Sequence, residues 1–376
     1  MLLSQILAGV PLAEKLSGDT EISAVELDSR KTVPGALFIA LNGKNSDGRK
    51  FIPDALEKGA AAVLYDGDYT PPAADGVLFV RADGDMRQNI ARAAANFYKP
   101  VPPYISAVTG TNGKTSIADF TRQLMKKLGY SAASIGTVGV VSDVAENAET
   151  LTTPDSVTLH RILRDLAVRG VDYVSLEASS IGIEQYRLDG LKIKAAGFTN
   201  FTQDHLDYHL TMENYLKAKE ELFSRVMETD GTAVLNADIP EFAELAEICR
   251  RRGIKVMSYG RNGSDLKILS RVPHAEGQTL ETEIEGRPYR LELPLIGEFQ
   301  AMNVLCAVGM VIAMHGFSGK IIDSLPHLKG APGRLDLAGG LRRLCPYAGC
   351  AGKRAENHAP SYGRQIVGRF RLRRRP

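Results

Sequence analysis

The sequence predicts an α/β protein, with a small N-terminal α/β domain followed by a central, mostly parallel sheet domain of the P-loop type. Three observations predict it. An apolar run, Tyr104–Val108, leads into Thr109-Gly110-Thr111-Asn112-Gly113-Lys114-Thr115-Ser116 and then into Ile117, Phe120, Leu124 and Leu128 at helical spacing. That order is the strand, glycine turn and helix of a phosphate cradle. Beyond it, apolar runs alternate with segments of three-to-four spacing, as in βαβ units whose sheet is covered by helices. Polar residues able to do chemistry follow the ends of those apolar runs, where open α/β sheets collect ligands.

Composition sets the bounds. At 376 residues, 44% apolar and 24% charged, the chain has room for two or three domains of ordinary globular make-up. The net charge of +2 is unevenly placed: residues 341–376 carry ten Lys/Arg against one acid, Glu356, leaving residues 1–340 at −7. The basic excess belongs to the tail, so no nucleic-acid partner is expected. Cys249, Cys306, Cys345 and Cys350 show no metal-type pairing and no disulfide framework, which suits a reducing, cytoplasmic setting. The longest apolar run, Val304–Met314, is eleven residues, too short to cross a bilayer, so no membrane insertion is expected.

Residues 1–98 read as the first domain. Leu2, Leu3, Ile6 and Leu7 make an amphipathic helix without a basic leader. Asp28-Ser29-Arg30 reads as a polar turn. A strand over 36–41, a helical stretch over 51–58 and a strand over 61–65 follow. Pro100, Pro102 and Pro103 mark a hinge. The second domain, residues 99–332, starts with the cradle. Leu151-Thr152-Thr153-Pro154-Asp155 is a polar turn before a helix carrying Leu159, Ile162, Leu163 and Leu166. Strands over 171–176 and 195–199 run into Glu177-Ala178-Ser179-Ser180 and Asn200. Residues 280–284 and 291–295 alternate in period two around Gly286 and Pro288, which reads as a hairpin. Residues 297–315 return to helix.

The cradle departs from the common G-x-x-x-x-G-K-[ST] pattern, because Val108 stands at the first glycine position. Its chemistry is nonetheless that of an anion site. Backbone N–H groups and a helix N-terminus face the phosphates, Lys114 adds a point charge, and the Thr115 hydroxyl can reach a magnesium ion. Glu177, an acid at a strand end, is a candidate magnesium ligand or a helix-capping acid. In Thr199-Asn200-Phe201-Thr202-Gln203-Asp204-His205-Leu206-Asp207-Tyr208-His209, His205 reads as a metal or phosphate group and His209 as a capped or solvated side chain. Lys219 lies on a helical stretch over 215–223, where the ordinary reading is a solvated lysine.

Taken together, Thr-Gly-Thr-Asn-Gly-Lys-Thr at 109–115, Leu-Glu-Ala-Ser-Ser at 176–180, Thr-Asn-Phe at 199–201, Asp-His-Leu-Asp-Tyr-His at 204–209, and Gly297 with Asn303 resemble the Mur ligase family. Asp28-Ser29-Arg30, Thr152-Thr153-Pro154 and Gln185-Tyr186-Arg187 resemble its branch acting on UDP-N-acetylmuramoyl-L-alanyl-D-glutamate. The resemblance covers residues 1 to about 338. It implies a monomeric, ATP- and Mg2+-dependent ligase that adds an amino acid, diaminopimelate or lysine, through an acyl phosphate in peptidoglycan synthesis. It places the ATP loop on Gly110, Thr111, Asn112, Gly113, Lys114 and Thr115, and adenosine contacts on Asn303 and Arg334. Magnesium ligands fall on Thr115, Glu177 and His205, and Lys219 matches a lysine carried as a carbamate that holds a second magnesium. The catalytic set is Lys114, Lys219 and His205. Uridine and muramoyl-dipeptide contacts fall on Ser29, Thr152, Thr153, Ser179, Gln185 and Arg187. Ile181 departs from the histidine the family usually has there.

The resemblance further implies a C-terminal Rossmann-like ligase domain, which residues 333–376 do not supply: neither an Asp-Tyr-Ala-His segment nor an Asp-Asn-Pro-Arg motif occurs there. Back-translating residues 349–355 and 366–376 and reading one base later permits DALENAL and SSVVFGCGGD, strings resembling the start of that domain. The expectation is a frameshift near residues 336–345, with 333–376 a disordered remnant.

Overall fold

The computed structural model describes residues 1–43, 46–144 and 151–331. The expectations for Arg334 and for the tail lie outside these residues.

The first unit is a four-stranded parallel sheet of β1 (Val25–Glu26), β2 (Leu37–Ala40), β3 (Ala62–Tyr65) and β4 (Leu78–Arg81), in that order. Strand residues alternate between its faces. Leu37 and Ile39 pack with Leu3, Ile6, Met86 and Ile90, whereas Phe38 and Ala40 pack with Ile52 and Ala55. These partners come from helices α1 (Leu3–Ile6), α2 (Ile52–Glu57) and α3 (Met86–Phe97). The N-terminal helix is a single turn. The helical stretch over 51–58 divides into a 3-10 turn, Gly48–Phe51, and α2. Asp28-Ser29-Arg30 is a 3-10 turn, with Asp28 Oδ1 accepting from the Arg30 N–H at 3.0 Å.

The second unit is a ten-stranded sheet. Its members are β5 (Tyr104–Thr109), β6 (Ala132–Gly136), β7 (Gly139–Val141), β8 (Tyr173–Glu177), β9 (Ile193–Phe198), β10 (Thr232–Asn236), β11 (Lys255–Gly260), β12 (Leu266–His274), β13 (Gly277–Ile284) and β14 (Arg287–Leu293). The spatial order is β14-β13-β12-β11-β10-β9-β5-β8-β6-β7, parallel from β12 through β6 and antiparallel at both edges. On one face Val108 packs with Ile117, Phe120 and Leu124 of helix α4 (Lys114–Lys127), the three-to-four spacing read from the sequence. On the other, Ile105 and Ala107 pack with Leu159, Leu163 and Leu166 of α5 (Ser156–Val168). Asp155 caps α5, its Oδ1 accepting from the Thr158 N–H at 2.9 Å. The expected strand over 171–176 is Tyr173–Glu177, so Glu177 itself ends the strand.

The period-two segment is a hairpin, but its turn is Glu285–Gly286, at φ 49° and 76°. Pro288 is not in the turn. It pairs with Glu283 inside β14, an edge strand that tolerates a residue without an N–H.

Short helices α6 (Ser180–Glu184) and α7 (Leu206–His209) and helix α8 (Met212–Glu221) follow β8 and β9; α9 (Phe242–Arg251) precedes β11. Helix α10 (Glu298–His315) is long and apolar enough to cross a membrane by composition, yet two thirds of it is buried against α4 and the sheet. Gly197 on β9 makes room for it: a Cβ there would meet Cys306 Sγ at 2.9 Å and Met310 Sδ at 3.1 Å. The last helix described is α11 (Gly319–Ser324).

The two units meet along α3 and α5. Arg161 Nη1 on α5 donates to Glu26 Oε1 at 2.9 Å, and Gly190 lets the chain pass Ala95, whose Cβ lies 2.6 Å from where a side chain would begin.

Candidate nucleotide and peptide site

The chain runs from β5 through α4 to β6, returns to β8 on one flank of β5, and then crosses to β9 on the other. The crevice beyond β5 is therefore a topological switch point. The loop after β5 occupies it.

Gly110 and Gly113 shape the loop, at φ 131° and 94°, conformations that favour glycine. A Cβ on Gly110 would overlap Thr199 Oγ1, and one on Gly113 would overlap Asn303 Oδ1. The segment after β9 holds the loop from below. Thr111 N–H donates to the Asn200 carbonyl at 2.8 Å, Asn112 N–H to Asn200 Oδ1 at 3.0 Å, Thr199 Oγ1 to the Asn112 carbonyl at 2.6 Å, and Thr111 Oγ1 to the Thr202 carbonyl at 3.0 Å. The Thr-Asn-Phe motif is thus the scaffold of the cradle.

Lys114 Nζ donates to the Gly110 and Thr111 carbonyls, each at 2.9 Å. Lys219 overturns the ordinary reading of a lysine: it is 1% exposed, its Nζ donates to the Gly110 carbonyl at 2.9 Å, and it lies 4.3 Å over the Tyr215 ring. Burial first, and then the Lys114 charge, hold its amine well below the usual lysine range. The signal in the sequence was the aromatic at i−4, which on a helix stacks beside the lysine.

Thr115 and Glu177 line one small cavity with Asp119, Ser134 and Gly136. Glu177 is buried. Its Oε1 accepts from the Thr137 N–H at 2.8 Å and its Oε2 from Thr137 Oγ1 at 3.3 Å, and a Cβ at Gly136 would overlap the carboxylate. A cradle that any Cβ would fill, with a hydroxyl and a carboxylate converging beside it, fits a polyphosphate and a hard cation such as magnesium. His205 is not among the residues lining this cavity; its side chain is 46% exposed and its ring lies 6.1 Å from that of Tyr215. Among the described residues no group of three or more His, Cys, Asp or Glu side chains converges.

Thr152, Thr153, Ser179, Gln185 and Arg187 form one hydrogen-bonded wall. Thr153 Oγ1 donates to the Glu177 carbonyl at 2.7 Å and accepts from the Ser179 N–H at 3.0 Å. Thr152 Oγ1 is 3.1 Å from Thr137 Oγ1. Ser179 caps α6, accepting from the Gly182 N–H at 3.1 Å. Arg187 donates to the Thr153 carbonyl at 2.6 Å and to Gln185 Oε1 at 2.8 Å, and Gln185 Nε2 donates to Tyr208 Oη at 3.0 Å. Asn303 on α10 donates to Gln300 Oε1 at 3.0 Å and abuts Gly113. Ser29 lies in the first unit, buried, its carbonyl accepting from Lys58 Nζ at 3.0 Å.

His209 overturns its expectation as well. It is not a solvated side chain but 4% exposed, with Nε2 2.9 Å from Ser180 Oγ and Nδ1 3.2 Å from Glu184 Oε2. Tyr215 and Ser180 are two further residues of the site that sequence reasoning did not single out.

A glycine cradle at the switch point of a parallel sheet, backed by a buried lysine, defines a nucleotide-phosphate-binding protein of the α/β class. Comparison with known proteins is more specific. The Mur ligase middle domain matches residues 108–311 and the Mur ligase family catalytic domain residues 21–98. The chain belongs to the Mur ligase family. It is 44% identical to the UDP-N-acetylmuramoyl-L-alanyl-D-glutamate–2,6-diaminopimelate ligase of Mesorhizobium japonicum, over 89% of this chain and 69% of that protein. It is 47% identical to the enzyme of the same name from Caulobacter vibrioides, over 85% and 67%. The chain spans about two thirds of the length of such relatives. A solved structure of a ligase of that name superposes with a TM-score of 0.73 at 32% identity, covering 83% of this chain and 64% of that one. The MurF ligase of Thermotoga maritima in complex with ADP, at 19% identity and a TM-score of 0.60, shares the fold.

Proposed function

We propose that this chain forms the substrate- and nucleotide-binding part of a cytoplasmic, monomeric ATP-dependent ligase that joins 2,6-diaminopimelate to UDP-N-acetylmuramoyl-L-alanyl-D-glutamate. The observation that carries the reading is Lys219. A buried amine kept neutral reacts readily with carbon dioxide, and the resulting carbamate is an oxygen ligand for a cation beside the phosphate loop.

In this reading, the N–H groups of Gly110–Thr115 and the Lys114 ammonium hold the triphosphate, with Asn303 and Arg334 on the adenosine side. Thr115, Glu177 and His205 hold magnesium, and carbamylated Lys219 holds a second ion. Bound magnesium neutralises charge that develops on the phosphoryl oxygens. Ser29 holds the uridine end. Thr152, Thr153, Ser179, Gln185 and Arg187 hold the muramoyl-dipeptide so that its D-glutamate γ-carboxylate faces the cradle. A carboxylate oxygen attacks the γ-phosphorus and ADP leaves. The diaminopimelate amine then attacks the acyl carbon, a proton is lost, and inorganic phosphate departs.

The chain spans about two thirds of the length of its relatives, and the second reading is binding of the nucleotide and UDP-muramoyl-dipeptide without turnover. Phosphate release from ATP and UDP-N-acetylmuramoyl-L-Ala-D-Glu, with diaminopimelate or lysine added, separates the two. Release that depends on diaminopimelate supports the first reading. Binding of both ligands without release supports the second, and binding of neither ends both.

A further inference from the structure

One set of polar side chains outside the roles assigned above joins the peptide-side wall to the floor of the phosphate cradle, and the buried His209 is its centre. Nδ1 faces the Glu184 carboxylate at 3.2 Å. A carboxylate only accepts, so Nδ1 carries the proton and Nε2, 2.9 Å from Ser180 Oγ, accepts from that hydroxyl. The ring packs against Tyr208 and Tyr215, with centroids 4.9 and 5.2 Å away. Tyr208 Oη receives the Gln185 amide. Tyr215 lies under Lys219 Nζ and has its hydroxyl 3.4 Å from Thr111 Oγ1.

Serine, imidazole and carboxylate in this order have the connectivity of a hydrolase triad. Ser180 is 1% exposed, so no substrate carbonyl reaches its oxygen, and the relay orients rather than attacks. The backbone is shaped to place the ring. His205 and Leu210, at φ 50° and 69°, bracket α7, left-handed conformations that such residues rarely adopt.

We propose that His209 is a positioning residue for the ligase reaction. By holding α6 against Tyr215, it fixes the distance between the side chains that grip the dipeptide and the Lys219 amine beneath the cradle. The inference rests on the function proposed above.

The test measures UDP-N-acetylmuramoyl-L-Ala-D-Glu and ADP affinity by calorimetry on the full chain and on His209→Leu and His209→Gln. Leucine fills the volume without a hydrogen bond; glutamine returns a polar group toward Ser180. His209→Leu is expected to lose about tenfold in dipeptide affinity, one buried hydrogen bond's worth, and to bind ADP as wild type, because Thr199 and Asn200 hold the cradle independently. His209→Gln is expected to recover most of the loss. Wild-type dipeptide binding by His209→Leu overturns the inference. So does equal loss in both variants, which would make the ring mere packing. A wild-type chain that does not bind the dipeptide overturns this inference and the proposed function together.

Discussion

Lys114 and Lys219 donate to the same oxygen: each Nζ lies 2.9 Å from the Gly110 carbonyl. One amine comes from the loop and the other from beneath it. Their closeness adds to the burial that holds the lower amine well below the usual lysine range. A buried amine with more donors than acceptors costs stability, so Lys219 is held there for chemistry rather than for folding. Lys219→Met keeps the length of the side chain and removes the polar group. It is expected to raise unfolding free energy by about 1 kcal/mol in urea titration. If wild-type Lys219 carries the proposed carbamate, 13C-bicarbonate should give a carbamate resonance in its NMR spectrum that the variant lacks. A variant less stable than wild type would show that the amine serves the fold.

Gly110 tests the cradle. Alanine there meets two separate obstacles: φ of 131° and overlap with Thr199 Oγ1. Gly110→Ala is expected to cost about 2 kcal/mol or more in stability and to abolish ADP binding in calorimetry. Adding Thr199→Ala removes the Oγ1 clash but neither the dihedral strain nor the 3.0 Å approaches of the Thr199 Cβ and the Asn200 carbonyl, so the double variant should regain part of the stability. Full recovery would assign the whole cost to the overlap.

How far the sequence reaches is clear from these residues. Strand, loop and helix at 104–127 were legible, because Ile117, Phe120 and Leu124 repeat at helical spacing and Gly-Lys-Thr marks the turn. Strands β4, β6 and β7 were not. Leu78–Arg81 and Gly139–Val141 are edge strands of four and three residues, and Ala132–Gly136 is mostly small side chains, so periodicity has little to act on. Which chemical groups would gather was legible from strand ends. Which of them would be buried was not: Lys219 and His209 look like surface residues in the sequence and are enclosed by Tyr215, Tyr208 and the loop, partners fixed by tertiary packing.

Glu177 tests the proposed magnesium site separately from the nucleotide. Its Oε1 accepts from the Thr137 N–H at 2.8 Å, a bond that Glu177→Gln can keep through its amide oxygen while losing the charge that a magnesium ion requires. The variant should therefore fold as wild type by circular dichroism and bind ATP normally in EDTA. The gain in ATP affinity on adding Mg2+ should fall about tenfold, the loss of roughly 1.4 kcal/mol of charge interaction. Thr115→Val should act in the same direction, and the two changes should add less than their sum, because both residues line one cavity. An unchanged Mg2+ increment in both variants would remove them from the metal site.

His160 predicts how stability responds to acid. It is 1% exposed on α5, with Nε2 donating to the Asp189 carbonyl at 3.1 Å and Nδ1 without a hydrogen-bond partner among the described residues. Burial pushes it down from 6.5 to about 4. The unfolded chain takes up a proton near pH 6.5, whereas the folded protein resists until about pH 4, so between those values the unfolded state binds more protons. Stability is then fully present above pH 6.5 and falls as the pH drops toward 4, by about 3 kcal/mol in all. His160→Gln keeps a donor for the Asp189 carbonyl and removes the titration. His209, also pushed down, first by burial, contributes the same slope to both proteins and cancels in the comparison. Urea unfolding from pH 7 to 4.5 should show wild type losing ground to His160→Gln as the pH falls, and parallel curves would mean that the His160 imidazole takes up its proton without opening the α5 core.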